Sequence, residues 1–118
     1  MLTVASIEAT CAFYATVLGM RVETFDGGRT ALKFGAQKIN LHRAGKEFEP
    51  KAEKPTPGSA DLCFIAATPL REVIAHLALL DIPVEVEPVA RAGAGGPMMS
   101  VYIRDPDQNL IKISNPAS

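Results

Sequence analysis

The sequence predicts an α+β fold made of two half-size modules, each running strand–helix–strand–strand–strand. Three observations predict it. Two amphipathic segments with helix-start residues, at Ser6 and Thr68, lie about 62 residues apart. A short strand-like run precedes each of them. Three apolar–polar alternating runs, separated by Gly, Asp or Asn turns, follow each of them. The boundaries fall at about 1–56 and 57–118, in one domain. Each half is small for a core of its own, so the two are expected to share one.

The elements follow in order. Leu2–Ala5 is a short first strand. Ser6 is a helix N-cap, since its hydroxyl can accept an orphan backbone N–H. Ile7, Cys11, Tyr14 and Leu18 then recur at helical spacing, and Gly19 ends the helix because it tolerates positive φ. Arg21–Phe25 reads as a strand, followed by a turn at Asp26-Gly27-Gly28. Thr30–Phe34 and Lys38–His42 are two more strands around Gly35. From Gly45 to Ser59 the chain holds Pro50, Pro55, Pro57 and Gly58, which reads as a crossing loop with a solvated Lys/Glu face.

The second half repeats the order. Ala60–Ala66 is a strand. Thr68 is a candidate N-cap, and Pro69 suits the first helical position, where its missing N–H costs nothing. Leu70, Val73, Ile74 and Leu77 form an apolar stripe, and the helix stops near Asp81, ahead of Pro83. His76 beside that stripe reads as a surface residue. Val84–Glu87, Met99–Arg104 and Leu110–Ser114 complete the strands. The glycine-rich stretch Gly93-Ala94-Gly95-Gly96-Pro97 lacks the lysine and the strand-to-helix setting of a phosphate loop, and reads as a turn. Asp105-Pro106-Asp107-Gln108-Asn109 is a tight-turn signature.

Composition excludes several function classes. The 118 residues are 47% hydrophobic and 21% charged, an ordinary globular balance. A net charge of −1, with both signs spread along the chain, offers no field for nucleic acid or an anionic membrane. There is no Trp, and the scattered five Phe and two Tyr make no base-stacking platform. No apolar run approaches the ~18 residues of a membrane span. The N-terminus shows no basic region or cleavage signal, so a cytoplasmic location is expected. Cys11 and Cys63 form no CxxC pair and sit in apolar stretches, as small buried hydrophobes do.

Strand alternation sorts the polar residues onto one face. Lys38, Asn40 and His42 oppose Ile39 and Leu41. Asp61 and Cys63 oppose Leu62 and Phe64. Ser100, Tyr102 and Arg104 oppose Val101 and Ile103, and Lys112 and Ser114 oppose Ile111 and Ile113. The apolar set calls for the two helices. The polar set is either a solvated sheet face or the concave side of a curved sheet carrying Asn40, His42, Asp61, Tyr102, Arg104 and Lys112.

Phe13-Tyr14-Ala15-Thr16-Val17-Leu18-Gly19-Met20 and Arg104-Asp105-Pro106-Asp107-Gln108-Asn109-Leu110-Ile111 resemble two motifs of the vicinal oxygen chelate superfamily. That superfamily covers glyoxalase I, bleomycin-resistance proteins and extradiol dioxygenases. Residues 35–42, 55–64 and 91–97 are similar to its subgroup of glyoxalase-domain and virulence-associated proteins. The resemblance, from Leu2 to about Pro116, implies tandem βαβββ modules forming a curved mixed sheet with a U-shaped cleft, in a homodimer. It also implies a divalent metal held by four inward-facing side chains. The first of these ligand positions falls just before Met1. The second maps to Asn40, the third to Asp61 and the fourth, usually Glu, to Lys112. A lysine ammonium has no lone pair. His42 and Asp61 are weak metal candidates, and Asp61 with Lys112 could replace the metal charge by a salt bridge.

Three functions follow as expectations. The first is a cofactor-free protein that binds a small molecule through Lys38, Asn40, His42, Asp61, Tyr102, Arg104 and Lys112, with a degenerate metal site. The second is a glyoxalase-like lyase or dioxygenase-type enzyme using Ni, Zn, Fe or Mn, its first ligand restored by an upstream start. The third is a structural or regulatory dimer with a vestigial cleft.

Overall fold

The structure, a computed structural model, describes residues 1–25, 27–93 and 96–116, with side chains at 1–25, 27–85 and 99–115. Asp26 of the first predicted turn, and Ala94 and Gly95 of the glycine-rich turn, lie outside the described residues. The order is β1 (Leu2–Val4), α1 (Ile7–Leu18), β2 (Arg21–Phe25), β3 (Arg29–Phe34), β4 (Gln37–Arg43), β5 (Asp61–Ile65), α2 (Leu70–Leu79), β6 (Val86–Gly93), β7 (Gly96–Arg104) and β8 (Leu110–Pro116). The expected repeat of strand, helix and three strands is therefore present twice. The strands form two four-stranded mixed sheets, one per module, ordered β1-β4-β3-β2 and β5-β8-β7-β6. In each sheet the strand ahead of the helix pairs in parallel with the last strand of its half. The other neighbours are antiparallel.

Two compact units result. The first is Met1–Ala60 together with Asp105–Gln108, and the second is Asp61–Arg104 together with Asn109–Ser118. In the first unit, α1 starts where the sequence says it should. Ser6 is extended, and its hydroxyl accepts from the Ala9 N–H at 3.1 Å. Gly19 ends the helix with φ 68°, a conformation that a side chain would strain. The buried stripe of α1 is Thr10, Tyr14 and Val17, while Cys11 is half-buried, and burial pushes its thiol pKa up. These side chains complete a core with Leu2, Val4, Met20, Leu32 and Leu41.

The four-residue turn Asp105–Gln108 is part of this unit because α1 and the residue that follows β1 grip it. The Tyr14 hydroxyl donates to Asp105 Oδ2 at 2.6 Å, and the Ala5 N–H donates to Asp107 Oδ1 at 3.1 Å. Asp105 Oδ1 also accepts from the Asp107 N–H at 2.9 Å, closing the local Asx bond that its sequence signature anticipates. Asp105 is only 2% exposed, and burial followed by the bond to Asp105 drives the Tyr14 hydroxyl pKa far up.

In the second unit, α2 begins one residue later than expected. Pro69 is the N-cap residue and no side chain caps the helix. The carbonyl of Thr68 is taken instead by Asn115 Nδ2 at 3.0 Å, so Thr68 belongs to the approach to the helix. Leu70 and Leu77 are buried as the stripe predicts, with Val73 and Ile74 half-buried and His76 exposed. They join Val101, Ile103, Ile111 and Ile113, each 0–2% exposed, on one face of the sheet. At ~25 cal/mol per Å² of apolar area removed from water, such branched side chains supply most of what holds a sheet to its helix.

Candidate functional site

In the first unit the register fixes which side chains share the face opposite α1. Ala31 pairs with Asn40 and Lys33 with Lys38, and Thr3 pairs with His42. Paired residues point the same way, so Lys38, Asn40 and His42 stand together on this face, as their alternation predicts. Ala31 and Lys33 accompany them on β3, and Arg29 and Phe25 come from the row beyond.

This face is not simply wet. Phe48, from the segment after β4, folds over it. Its ring meets the His42 ring edge-on at 5.8 Å between centroids, and the Arg29 guanidinium lies 4.6 Å from its centre. His42 is consequently only 6% exposed. Lys38 lies over the Phe25 ring, its ammonium 4.3 Å from the centroid. Between these groups is a cavity of about 50 Å³, lined by Phe25, Arg29, Asn40, His42, Phe48 and Glu49 among others. The Asn40 Oδ1 is buried without a hydrogen-bond partner among the described residues. Beside the cavity, Glu47 accepts from the Gly45 N–H at 3.0 Å. The backbone N–H of Glu47 itself, and then that bond, hold its carboxyl below its ordinary value.

The second unit also gathers its predicted residues on one face. The register sets Asp61 beside Leu110 and Leu110 beside Arg104. One row along, Cys63 sits beside Lys112 and Lys112 beside Tyr102. Asp61, Tyr102, Arg104 and Lys112 are thus neighbours on the face opposite the Ile and Val core. Arg104 is committed: its Nε donates to Glu85 Oε2 at 2.7 Å, with both side chains about two-fifths exposed. That bond pushes the Arg104 pKa further up, and Asp61 adds a weaker electrostatic contribution. In the next row the Ser100 and Ser114 hydroxyls bond at 2.7 Å, fully buried, with Cys63 Sγ 3.7 Å from Ser114.

Two expectations fail here. Cys63 is exposed rather than a buried apolar filler, because the pleat turns it to the polar face. Asp61 and Lys112 form no ion pair; the pairs among the described residues join Lys33 to Glu23, Lys51 to Glu49 and Arg104 to Glu85. The register explains the failure, since Lys112 is level with Cys63 and Asp61 is one two-residue step away beside Leu110.

Two of the ligand positions implied by the resemblance carry weak or unsuitable donors. Lys112 offers no lone pair when charged, and Asn40 offers one neutral oxygen. Among the described residues no three His, Cys, Asp or Glu side chains come together in metal-holding geometry. Sequence reasoning missed Arg29 and Phe48. Arg29 opens a strand, and Phe48 sits in a charged, Pro-containing connector that reads as solvated. The one signal available was a lone Phe within that polar stretch.

Comparison with known proteins places the chain. Residues 1–113 match the family model described as Glyoxalase/Bleomycin resistance protein/Dioxygenase superfamily. Virulence protein STM3117 of Salmonella typhimurium is 56% identical over 114 residues, 97% of this chain and 79% of that protein. The crystal structure of that Salmonella protein superposes with a TM-score of 0.97 at 55% identity, covering 98% of this chain and 92% of the other. Glyoxalase domain-containing protein RDO1 of Mycosarcoma maydis is 51% identical over 115 residues, 98% of this chain, which spans 65% of that relative's length. The lactoylglutathione lyase structure from Agrobacterium tumefaciens aligns with a TM-score of 0.71 at 28% identity, covering 97% of this chain and 88% of that one. With nearly its whole length matched, its two βαβββ repeats in place and both sequence motifs at their expected positions, the chain belongs to the glyoxalase/bleomycin resistance protein/dioxygenase superfamily.

Proposed function

We propose that the chain is a small-molecule-binding protein of this superfamily with a degenerate metal site. The ligand-binding residues of this reading are Lys38, Asn40 and His42 on the polar face of the first unit, and Asp61, Tyr102, Arg104 and Lys112 on the polar face of the second. The observation that carries the reading is the cavity lined by Asn40 and His42, where polar side chains meet a space walled by two aromatic rings. Small-molecule sites combine an apolar wall with a few polar groups in this way. No metal takes part in this reading, and the protein acts as a homodimer in the cytoplasm. No helix among the described residues is long and apolar enough to cross a membrane.

A thermal-shift screen with small polar and aromatic compounds tests it. A ligand at about 100 times its Kd adds about 2.7 kcal/mol of stability, a plain rise in Tm. The reading fails if no compound raises Tm. A second reading, a divalent-metal lyase or dioxygenase-type enzyme, draws on the likeness to the Agrobacterium lyase. Elemental analysis separates the two: stoichiometric Ni, Zn, Fe or Mn in the purified protein supports the enzyme and overturns the metal-free reading. Lys112→Glu is expected to raise metal affinity, because it restores a carboxylate where the family carries one.

A further inference from the structure

Resting on the small-molecule reading above, we propose that the cavity of the first unit is a carboxylate subsite. It takes the carboxylate head of a small organic acid, held by the Arg29 guanidinium and by Asn40 and His42. Size comes first. A water needs about 10–15 Å³, and this cavity offers about 50 Å³. Three heavy atoms of a carboxylate fit that space, and a whole drug-sized ligand does not. Only the head of a ligand enters, and its body lies along the open polar face of β3 and β4.

Charge and geometry select the head group. A guanidinium carries five N–H donors and no acceptor, so its partner must accept. The Arg29 guanidinium carbon stands 4.6 Å from the Phe48 ring centre, a cation–π contact that leaves its N–H donors available for a two-pronged bond to a planar anion. No carboxylate among the described residues forms an ion pair with Arg29. Glu49 also lines the cavity, but its Oε1 is 3.8 Å from Lys51 Nζ, so its charge is offset by its own neighbour. Lys38, over the Phe25 wall, adds positive potential from the same face. Asn40 also lines the cavity, and its carboxamide N–H groups can donate to an anion. His42, fixed against the edge of Phe48, supplies an N–H from the next position along the same side of β4.

The test is an NMR titration of the full chain with propanoate, its neutral isostere propanamide, and inorganic phosphate, reading the Asn40 side-chain amide and the His42 ring signals. Propanoate is expected to shift both saturably, and propanamide to bind at least about tenfold more weakly, the factor a lost charge-assisted bond gives. Arg29→Gln, an exposed change that leaves the core intact, is expected to weaken propanoate by at least about tenfold, with Arg29→Lys in between. Equal binding of acid and amide, or an Arg29→Gln protein that binds propanoate as before, overturns the proposal. Phosphate binding more tightly than propanoate at the same signals overturns it in favour of a tetrahedral-anion site. A neutral compound that raises Tm and moves the Asn40 amide while propanoate does not overturns the carboxylate subsite and leaves small-molecule binding standing.

Discussion

Tyr14→Phe isolates one hydrogen bond while leaving the packing around it almost unchanged. The ring stays fully buried, edge-on to Phe13 at 5.2 Å, and only the hydroxyl that donates to Asp105 at 2.6 Å is lost. A hydrogen bond to a charged group contributes about 1.5–3 kcal/mol, and the loss leaves a carboxylate oxygen buried with one donor fewer. At about 2.1 cal/mol/K of unfolding entropy per residue, 118 residues give about 0.25 kcal/mol/K, so a loss of ~2 kcal/mol lowers Tm by about 8 °C. The pH dependence is the sharper test. Tyr14 keeps its proton in the folded protein well above the ordinary range, whereas an unfolded tyrosine loses it near pH 10. The folded state therefore binds more protons than the unfolded one above that pH. Stability from this group is complete below pH ~10 and falls by about 1.4 kcal/mol per pH unit above it. The phenylalanine variant has no such loss, so the gap between the two proteins narrows from pH 9 to pH 11. Urea unfolding followed by far-ultraviolet circular dichroism at pH 7, 9 and 11 measures it, since the chain has no Trp to report. An unchanged midpoint at pH 7, or a gap that stays constant through pH 11, refutes the reasoning.

Two further predictions concern close contacts. Gly58→Ala places a Cβ 2.6 Å from the Asp107 carbonyl oxygen at φ +82°, and is expected to cost about 3 kcal/mol. Gly19→Ala, at φ +68° with open space around it, is expected to cost only about 1 kcal/mol; equal midpoints in urea for the two variants would contradict this. Ser114→Ala strands the buried Ser100 hydroxyl that now bonds it at 2.7 Å, an expected loss of about 1–3 kcal/mol. Changing both serines to Ala is expected to cost less than the sum of the single changes, and strict additivity in thermal unfolding would show that the pair is not coupled.

The fold was legible where local chemistry decides it. Ser6 and Gly19 mark the ends of α1 because a cap and a left-handed residue act over three or four positions. The two-residue period of β4, β5, β7 and β8 places Lys38, Asn40, His42, Asp61, Tyr102, Arg104 and Lys112 on their faces, because the pleat allows only two directions. What escaped was set by distant contacts. Thr68 looks like a cap, yet its carbonyl is claimed by Asn115, 47 positions away. Phe48 closes over His42 from a connector whose composition speaks only of solvent. Arg29 becomes part of the cavity through Phe48, so neither was visible without the other. The salt bridge expected between Asp61 and Lys112 needed the parallel register of β5 and β8, which no periodicity in a single strand encodes.

The grip of Tyr14 and Ala5 on the turn between β7 and β8 has a consequence for the modularity of the chain. A repeat of two like halves suggests pieces that can be exchanged or expressed singly. Here four residues of the later half serve as a plug in the earlier one. A fragment ending at residue 60 would expose the buried Tyr14 hydroxyl side and the Gly58 contact, so the halves are interlocked parts and not interchangeable ones. Shuffling of such halves between relatives is constrained to pairs in which the helix tyrosine and the turn aspartates travel together.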